Sequence, residues 1–154
     1  MDTIKESMAR AMASSITPQP PSIPQAKDCM KTGLITFRGD EHVVRVIDRL
    51  IKERISGAPV VDEEHRLLGM ISEMDCLRAL MSGAYDGERL QPQLYVRDLM
   101  TTECITVEKQ TNIFKMVELF DTHSIRRLPV LEDGIVIGQV SRRDILVHSK
   151  HLLE

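Results

Sequence analysis

The chain reads as an α+β protein made of two β-α-β-β-α units packed sheet to sheet. Three observations predict this. The sequence repeats itself at a spacing near 70 residues. Each copy alternates apolar runs of strand length with stripes of helical period. One such unit is too small to bury both faces of its sheet, so a second must cover it. Asp28-Cys29-Met30 returns as Asp98-Leu99-Met100, Ile35-Thr36 as Ile105-Thr106, Ile55 as Ile125, and Pro59-Val60 as Pro129-Val130. From Gly69 the spacing drops by one residue: Gly69-Met70-Ile71-Ser72 and Asp75 match Gly138-Gln139-Val140-Ser141 and Asp144. The lost residue falls in a turn, where a shared fold tolerates a change of length.

The elements follow in order. Residues 1–26 are an arm and linker: Ile4, Met8, Ala11 and Met12 recur at helical spacing, then Pro18, Pro20, Pro21 and Pro24 forbid regular structure. Such an arm suits a disordered tail and a helix docked on a partner subunit equally. Repeat 1 spans 27–82, a linker 83–96, and repeat 2 97–149. Each repeat opens on a short strand, "LITF" or "CITV". A helix follows, with its apolar stripe on Val43, Val46, Ile47, Leu50 and Ile51, or on Ile113, Met116, Val117 and Phe120. A hairpin comes next, "APVVD" with "LLGMIS" and "LPVLE" with "IVIGQVS", rich in β-branched residues and turned by polar ones. Ser72 and Ser141 are N-cap candidates, with Asp75 and Asp144 three residues on in the acidic place of a capping box. The second helix is "DCLRALM" or "DILVHSK". The linker holds Gly83, Gly87 and Pro92, as a surface loop does; Tyr85 within it serves as plain linker or as a cover for a cleft.

Composition excludes several classes of function. Hydrophobic residues make up 42%, enough for a packed core in a 154-residue chain. A net charge of −3 and an isoelectric point near 6.0 give no general attraction to nucleic acid or anionic membrane, so any anion site must be a local cluster. Cys29, Cys76 and Cys104 are odd in number and far apart, which fits reduced thiols rather than disulfides or zinc. No apolar segment suits export or a membrane span, so a cytoplasmic protein is expected. Phosphate-loop and dinucleotide-fold glycine motifs are absent, and so is any nucleophile–base arrangement, so the expectation is a non-enzyme. His148 and His151 share a helical spacing but lack the further ligands zinc demands, so no metal site is expected.

The pattern "hPVhD…hGhhSxxD", present twice, resembles the cystathionine-β-synthase (CBS) domain, and the two copies together resemble a tandem CBS pair over residues 27–149. The resemblance implies pseudo-twofold symmetry, clefts that bind AMP, ADP, ATP or S-adenosylmethionine, no required cofactor, a homodimer, and regulation of another protein of unknown identity. It further implies that Asp75 and Asp144 accept hydrogen bonds from ribose hydroxyls while Ser72 and Ser141 face phosphate. The chemistry agrees: a carboxylate is acceptor-only and suits a vicinal diol, and a helix start attracts anions. Ordinary capping accounts for the same four residues.

The copies differ in charge. Arg126, Arg127, Arg142 and Arg143 align with Ser56, Gly57, Glu73 and Met74. Arginine's planar fork makes bidentate bonds to phosphate. The expectation is therefore that the Asp144 cleft, with Ser141 and these four arginines, holds the phosphorylated ligand. Family geometry implies an adenine wall from the opposite repeat: Lys31, Ile35 and Thr36 for this cleft, and Thr101, Ile105 and Thr106 for a weaker Asp75 cleft. With aromatics at 3% and no tryptophan, the base is held by backbone groups and apolar contact. Two alternatives stay open: arginines that form a solvated face, and a ligand-free dimeric scaffold in which the same residues only cap helices.

Overall fold

The computed structural model of the protein describes residues 3–6, 22–85 and 94–153. In chain order it forms α1 (Ala26–Cys29), α2 (Val43–Glu53), β1 (Gly57–Val61), β2 (Leu67–Ser72), α3 (Glu73–Tyr85), α4 (Val96–Leu99), β3 (Val107–Glu108), α5 (Ile113–Thr122), β4 (Arg127–Glu132), β5 (Ile135–Ser141) and α6 (Arg142–Ser149), then a 3-10 turn at Lys150–Leu153. Residues 3–6 are helical, with Ile4 exposed. The rest of the expected arm helix and residues 86–93 of the linker lie outside the described residues, as does the Tyr85 side chain.

The leading strands are shorter than the sequence suggests. "LITF" contributes one parallel bridge, Phe37 beside Val60, and "CITV" pairs only from Val107, beside Val130. The physical reason is that the preceding residues are claimed by the other repeat. Lys31 exchanges hydrogen bonds with Gln139 (3.0 and 3.1 Å), and Thr101 exchanges them with Met70 (2.9 and 2.9 Å). These two exchanges are equivalent under the repeat. So are Ile113 N–H to the Pro24 carbonyl (3.0 Å) and Val43 N–H to the Leu94 carbonyl (2.9 Å). A local pseudo-twofold axis therefore relates the copies.

The cores cross in the same way. One contains Val107, Ile113, Met116, Leu128, Val130 and Val140 of repeat 2, completed by Ala26 and Cys29 from α1. The other contains Phe37, Val43, Val46, Leu50, Val60 and Ile71 of repeat 1, completed by Val96 from α4. Each repeat's leading helix thus packs in its sister's core, and the stretch expected as linker is helical at its start and docked at its end. Two residues assigned to the apolar stripes are not covered: Ile51 is 71% exposed and Val117 51%. Each follows a residue of the stripe by one position, about 100° round the helix, so the sheet covers its neighbour instead.

The antiparallel hairpins pair Gly57 with Ser72 and Arg127 with Ser141. The second turns through Asp133 (φ 52°) and Gly134 (φ 81°), both in the left-handed region that a two-residue hairpin demands. The longer first turn passes through His65 (φ 65°). The two tips bond to each other: Leu67 N–H donates to the Gly134 carbonyl (3.2 Å) and Val136 N–H to that of His65 (3.1 Å). On β1 and β4, Ala58, Val60, Leu128 and Val130 enter the two cores. Strand alternation turns Gly57, Pro59, Arg127 and Pro129 to the opposite face, where the repeats meet.

Candidate functional site

Both Ser-x-x-Asp stretches fold as capping boxes, because the helix starts directly at the strand end and leaves amides to satisfy. In repeat 1, Asp75 Oδ2 accepts from the Ser72 backbone N–H and hydroxyl, both 2.9 Å, while Asp75 N–H donates to Ser72 Oγ at 3.2 Å. In repeat 2, Asp144 Oδ2 accepts from Ser141 N–H at 2.8 Å, and Asp144 N–H donates to Ser141 Oγ at 3.2 Å. Capping occupies one oxygen of each carboxylate. The other oxygen is met only loosely: Arg78 stands 3.4 Å from Asp75 Oδ1, and Lys31 3.6 Å from Asp144 Oδ1. Both cations are more than 70% exposed, whereas the aspartates are buried. A bound diol can displace so weak an exposed partner at little cost.

A cleft of about 540 Å³ opens between the repeats on the Asp75 side. Its polar wall comprises Ser56, Ser72, Glu73, Asp75, Thr101 and Glu103. Its apolar wall combines Met70, Ile71 and Leu77 of repeat 1 with Ile105, Ile125 and Pro129 of repeat 2. Arg126 and Arg127 line this same cleft. Their assignment to the Asp144 cleft therefore requires correction. Arg127 does pair with Ser141 in its own sheet, but its side chain leaves the opposite face and is long enough to cross to repeat 1. There it donates from one amino group to the Gly57 carbonyl (2.5 Å) and from the other to Ser56 Oγ. Gly57 makes room for it: a Cβ there would stand 3.2 Å from the guanidinium and 2.7 Å from the Ile71 carbonyl. Burial lowers the Arg127 pKa, the neighbouring Arg126 charge lowers it further, and Glu73 acts in the opposite sense. Burial likewise raises the thiol of Cys104.

The remaining assignments divide. Lys31, expected in the adenine wall, instead stands 3.6 Å from Asp144 Oδ1, and Ile35 packs against the core of repeat 1. Thr36 is half-buried, and so is Thr106, which is not among the residues lining the Asp75 cleft. Thr101 and Ile105 do line that cleft. Arg142, expected in the Asp144 cleft, borders a groove of about 350 Å³ between α5 and α6 with Val117, Phe120, Asp121, Ile145 and Leu146. Arg143 is exposed and, among the described residues, has no salt bridge. The Asp144 side differs in one further respect. Gln139, the counterpart of Met70, has a buried Oε1 without a hydrogen-bond partner among the described residues. No group of three His, Cys, Asp or Glu residues that could hold a metal ion occurs among the described residues, and no described helix is long and apolar enough to cross a membrane.

The sequence reading missed Ser56, Met70, Glu103, Cys104 and Ile125 as cleft residues. The signal lay in the repeat itself, because positions related by 70 must face one another wherever the axis passes between them. Gly57 and Arg127 are such a pair.

The family model of the CBS domain matches residues 26–82 and again 96–151. The chain is 28% identical over 148 residues to the uncharacterised protein MJ1426 of Methanocaldococcus jannaschii, spanning 78% of this chain and 88% of that one. It is 31% identical over 119 residues to the inosine-5′-monophosphate dehydrogenase of Aquifex aeolicus, 76% of this chain but only 23% of the dehydrogenase. Among solved structures, the CBS domain pair of protein MJ0100, in complex with 5′-methylthioadenosine and S-adenosyl-L-methionine, superposes with a TM-score of 0.70 at 25% identity, covering 85% of this chain and 99% of that one.

Proposed function

Because the chain belongs to the CBS-domain family, with the domain present twice in tandem, we propose that it is a non-catalytic regulatory module that binds an adenosine-containing ligand between its repeats and signals occupancy to a partner protein. The observation that carries this reading is the Asp75 cleft. It unites a buried carboxylate, two guanidinium groups from the other repeat and an apolar wall in about 540 Å³, within the range of small-molecule sites. Asp75 Oδ1 would accept from the ribose hydroxyls, the Met70, Ile105 and Pro129 surfaces would sandwich the base, and Arg126 with Arg127 would face the anionic end. An anion there also relieves the repulsion between those two neighbouring arginines. The adenosine ligands of the MJ0100 pair support the ligand class. The principal site is thus the Asp75 cleft; the Asp144 cleft, held by Lys31, is secondary.

Since wall residues come from both repeats, a ligand binds the two together and favours their closed packing, by no more than its differential affinity for the two states. The module acts in the cytoplasm as a homodimer, its helices carrying further exposed apolar residues: Ile51 and Met81 on repeat 1, Phe114, Val117 and Leu146 on repeat 2.

Calorimetric titration with AMP, ADP, ATP and S-adenosylmethionine tests the ligand. We expect binding that weakens about ten- to a hundredfold in Asp75→Asn, which keeps a capping oxygen but loses the charge-assisted ribose bonds. Absence of heat with all four ligands would leave a ligand-free scaffold as the reading. Loss in Asp144→Asn alone would move the site to the other cleft.

A further inference from the structure

Resting on that reading, we propose that the Asp75 cleft selects its adenosine ligand by charge, with Glu73 as the residue that disfavours polyphosphates and leaves a 5′-monophosphate as the preferred nucleotide. Four observations converge on this. First, the cleft lining carries two cations, Arg126 and Arg127, against three carboxylates, Glu73, Asp75 and Glu103. Second, one of those cations is already engaged. Arg127 is half-buried and spends both amino groups on Gly57 and Ser56 across the repeat boundary. Arg126 is exposed and has no salt bridge among the described residues, so it is the guanidinium free to turn toward a phosphate.

Third, the start of α3 is not an open anion nest. The Glu73 N–H donates to the Ser56 carbonyl at 2.9 Å, and the Asp75 N–H donates to Ser72 Oγ at 3.2 Å. Two of the amides that attract phosphate at many helix starts are thus already satisfied here. Fourth, the exposed Glu73 carboxylate sits at the first position of that helix, where its charge is felt both by Arg127 and by Cys76. In the second repeat the equivalent position is Arg142, so the acid is a property of this cleft and not of the repeat pattern.

A monophosphate brings a charge of about −2, which Arg126 and the field of Arg127 can match. Each further phosphate adds negative charge among carboxylates with no cation left to meet it. At separations of several ångströms and the intermediate dielectric of a protein surface, one such unmatched charge weakens binding about fivefold.

The test is calorimetry with AMP, ADP, ATP and S-adenosylmethionine on the full chain, in EDTA so that no divalent cation neutralises the polyphosphates. Wild type, Glu73→Gln and Glu73→Arg are compared, and Asp75→Asn assigns the cleft. We expect AMP to bind at least about tenfold more tightly than ATP. Glu73→Gln should shrink that ratio about threefold, and Glu73→Arg should bring ATP level with AMP or ahead of it. The proposal is overturned, with the adenosine reading intact, if ATP binds wild type within about threefold of AMP, or if neither Glu73 variant moves the ratio. Nucleotide binding that ignores Asp75→Asn places the ligand elsewhere and also overturns it. Absence of binding by all three nucleotides and by S-adenosylmethionine overturns both readings together.

Discussion

Replacing Gly69 by alanine should separate the two repeats where one feeds its chain into the other's sheet. A Cβ at Gly69 would lie 2.6 Å from the Thr101 carbonyl oxygen and 3.0 Å from Met100 Sδ. The methionine can turn aside, but the carbonyl is backbone. It is also the acceptor for Met70 N–H at 2.9 Å, in an exchange whose other half is Thr101 N–H to the Met70 carbonyl. Relief requires residues 100–101 to retreat by several tenths of an ångström, weakening two hydrogen bonds worth about 1 kcal/mol each. Overpacking adds about 1–3 kcal/mol, and the lost chain entropy of the unfolded glycine returns about 0.4–1 kcal/mol. The net expectation is a destabilisation of about 2–4 kcal/mol. Gly39→Ala is the matched control, since its Cβ meets only Arg97 Cβ at an ordinary 3.5 Å and its φ is not positive. It should be neutral or slightly stabilising. Equilibrium urea denaturation of the three proteins measures both. A Gly69→Ala protein within about 0.5 kcal/mol of wild type would refute the crossed packing, as would equal damage from Gly39→Ala.

Two further outcomes follow from the same structure. Burial, with help from Asp28 and Asp144 at Cys29 and from Asp75 and Glu73 at Cys76, raises these thiols above the ordinary 9.0, and burial alone raises Cys104. A raised native pKa gives stability that is whole below the unfolded value and is lost as pH climbs through the folded one. Denaturation midpoints should therefore fall as pH rises above 9, and a triple Cys→Ala protein should lose that part of the slope. Turning to assembly, Phe114 is 62% exposed and Leu146 73% exposed. If these residues form the interface of the proposed homodimer, Phe114→Glu with Leu146→Glu should give a monomer with an unchanged circular dichroism spectrum. Sedimentation equilibrium reads the result, and a wild-type chain already monomeric at micromolar concentration would end the dimer reading.

The two β-α-β-β-α copies, their hairpins and the Ser-x-x-Asp caps were legible in the chain because each depends on residues close in sequence: strand alternation, turn chemistry, and a serine three residues before an aspartate. The apolar stripes were legible too, apart from Ile51 and Val117, since periodicity marks a helix face but not how wide a stripe the sheet will cover. Even the charge difference between the copies could be read from the alignment. What it could not supply was the direction in which those charges point.

That direction is set by the pseudo-twofold axis. Lys31 and Thr101 pair with the sister repeat ahead of their own strands, and α1 and α4 each complete the sister repeat's core. Because Gly57 and Arg127 face one another across that axis, the bare glycine lets the arginine through. Its guanidinium thus belongs to the cleft of Asp75, although its backbone pairs with the strand that ends at Ser141. Residue order alone sets which chemical groups the protein carries and the local element on which each stands. Only the tertiary packing decided which groups share a cleft, because a side chain as long as arginine spans the distance between two sheets, and the sheet it reaches is fixed by contacts about 70 residues away in the chain.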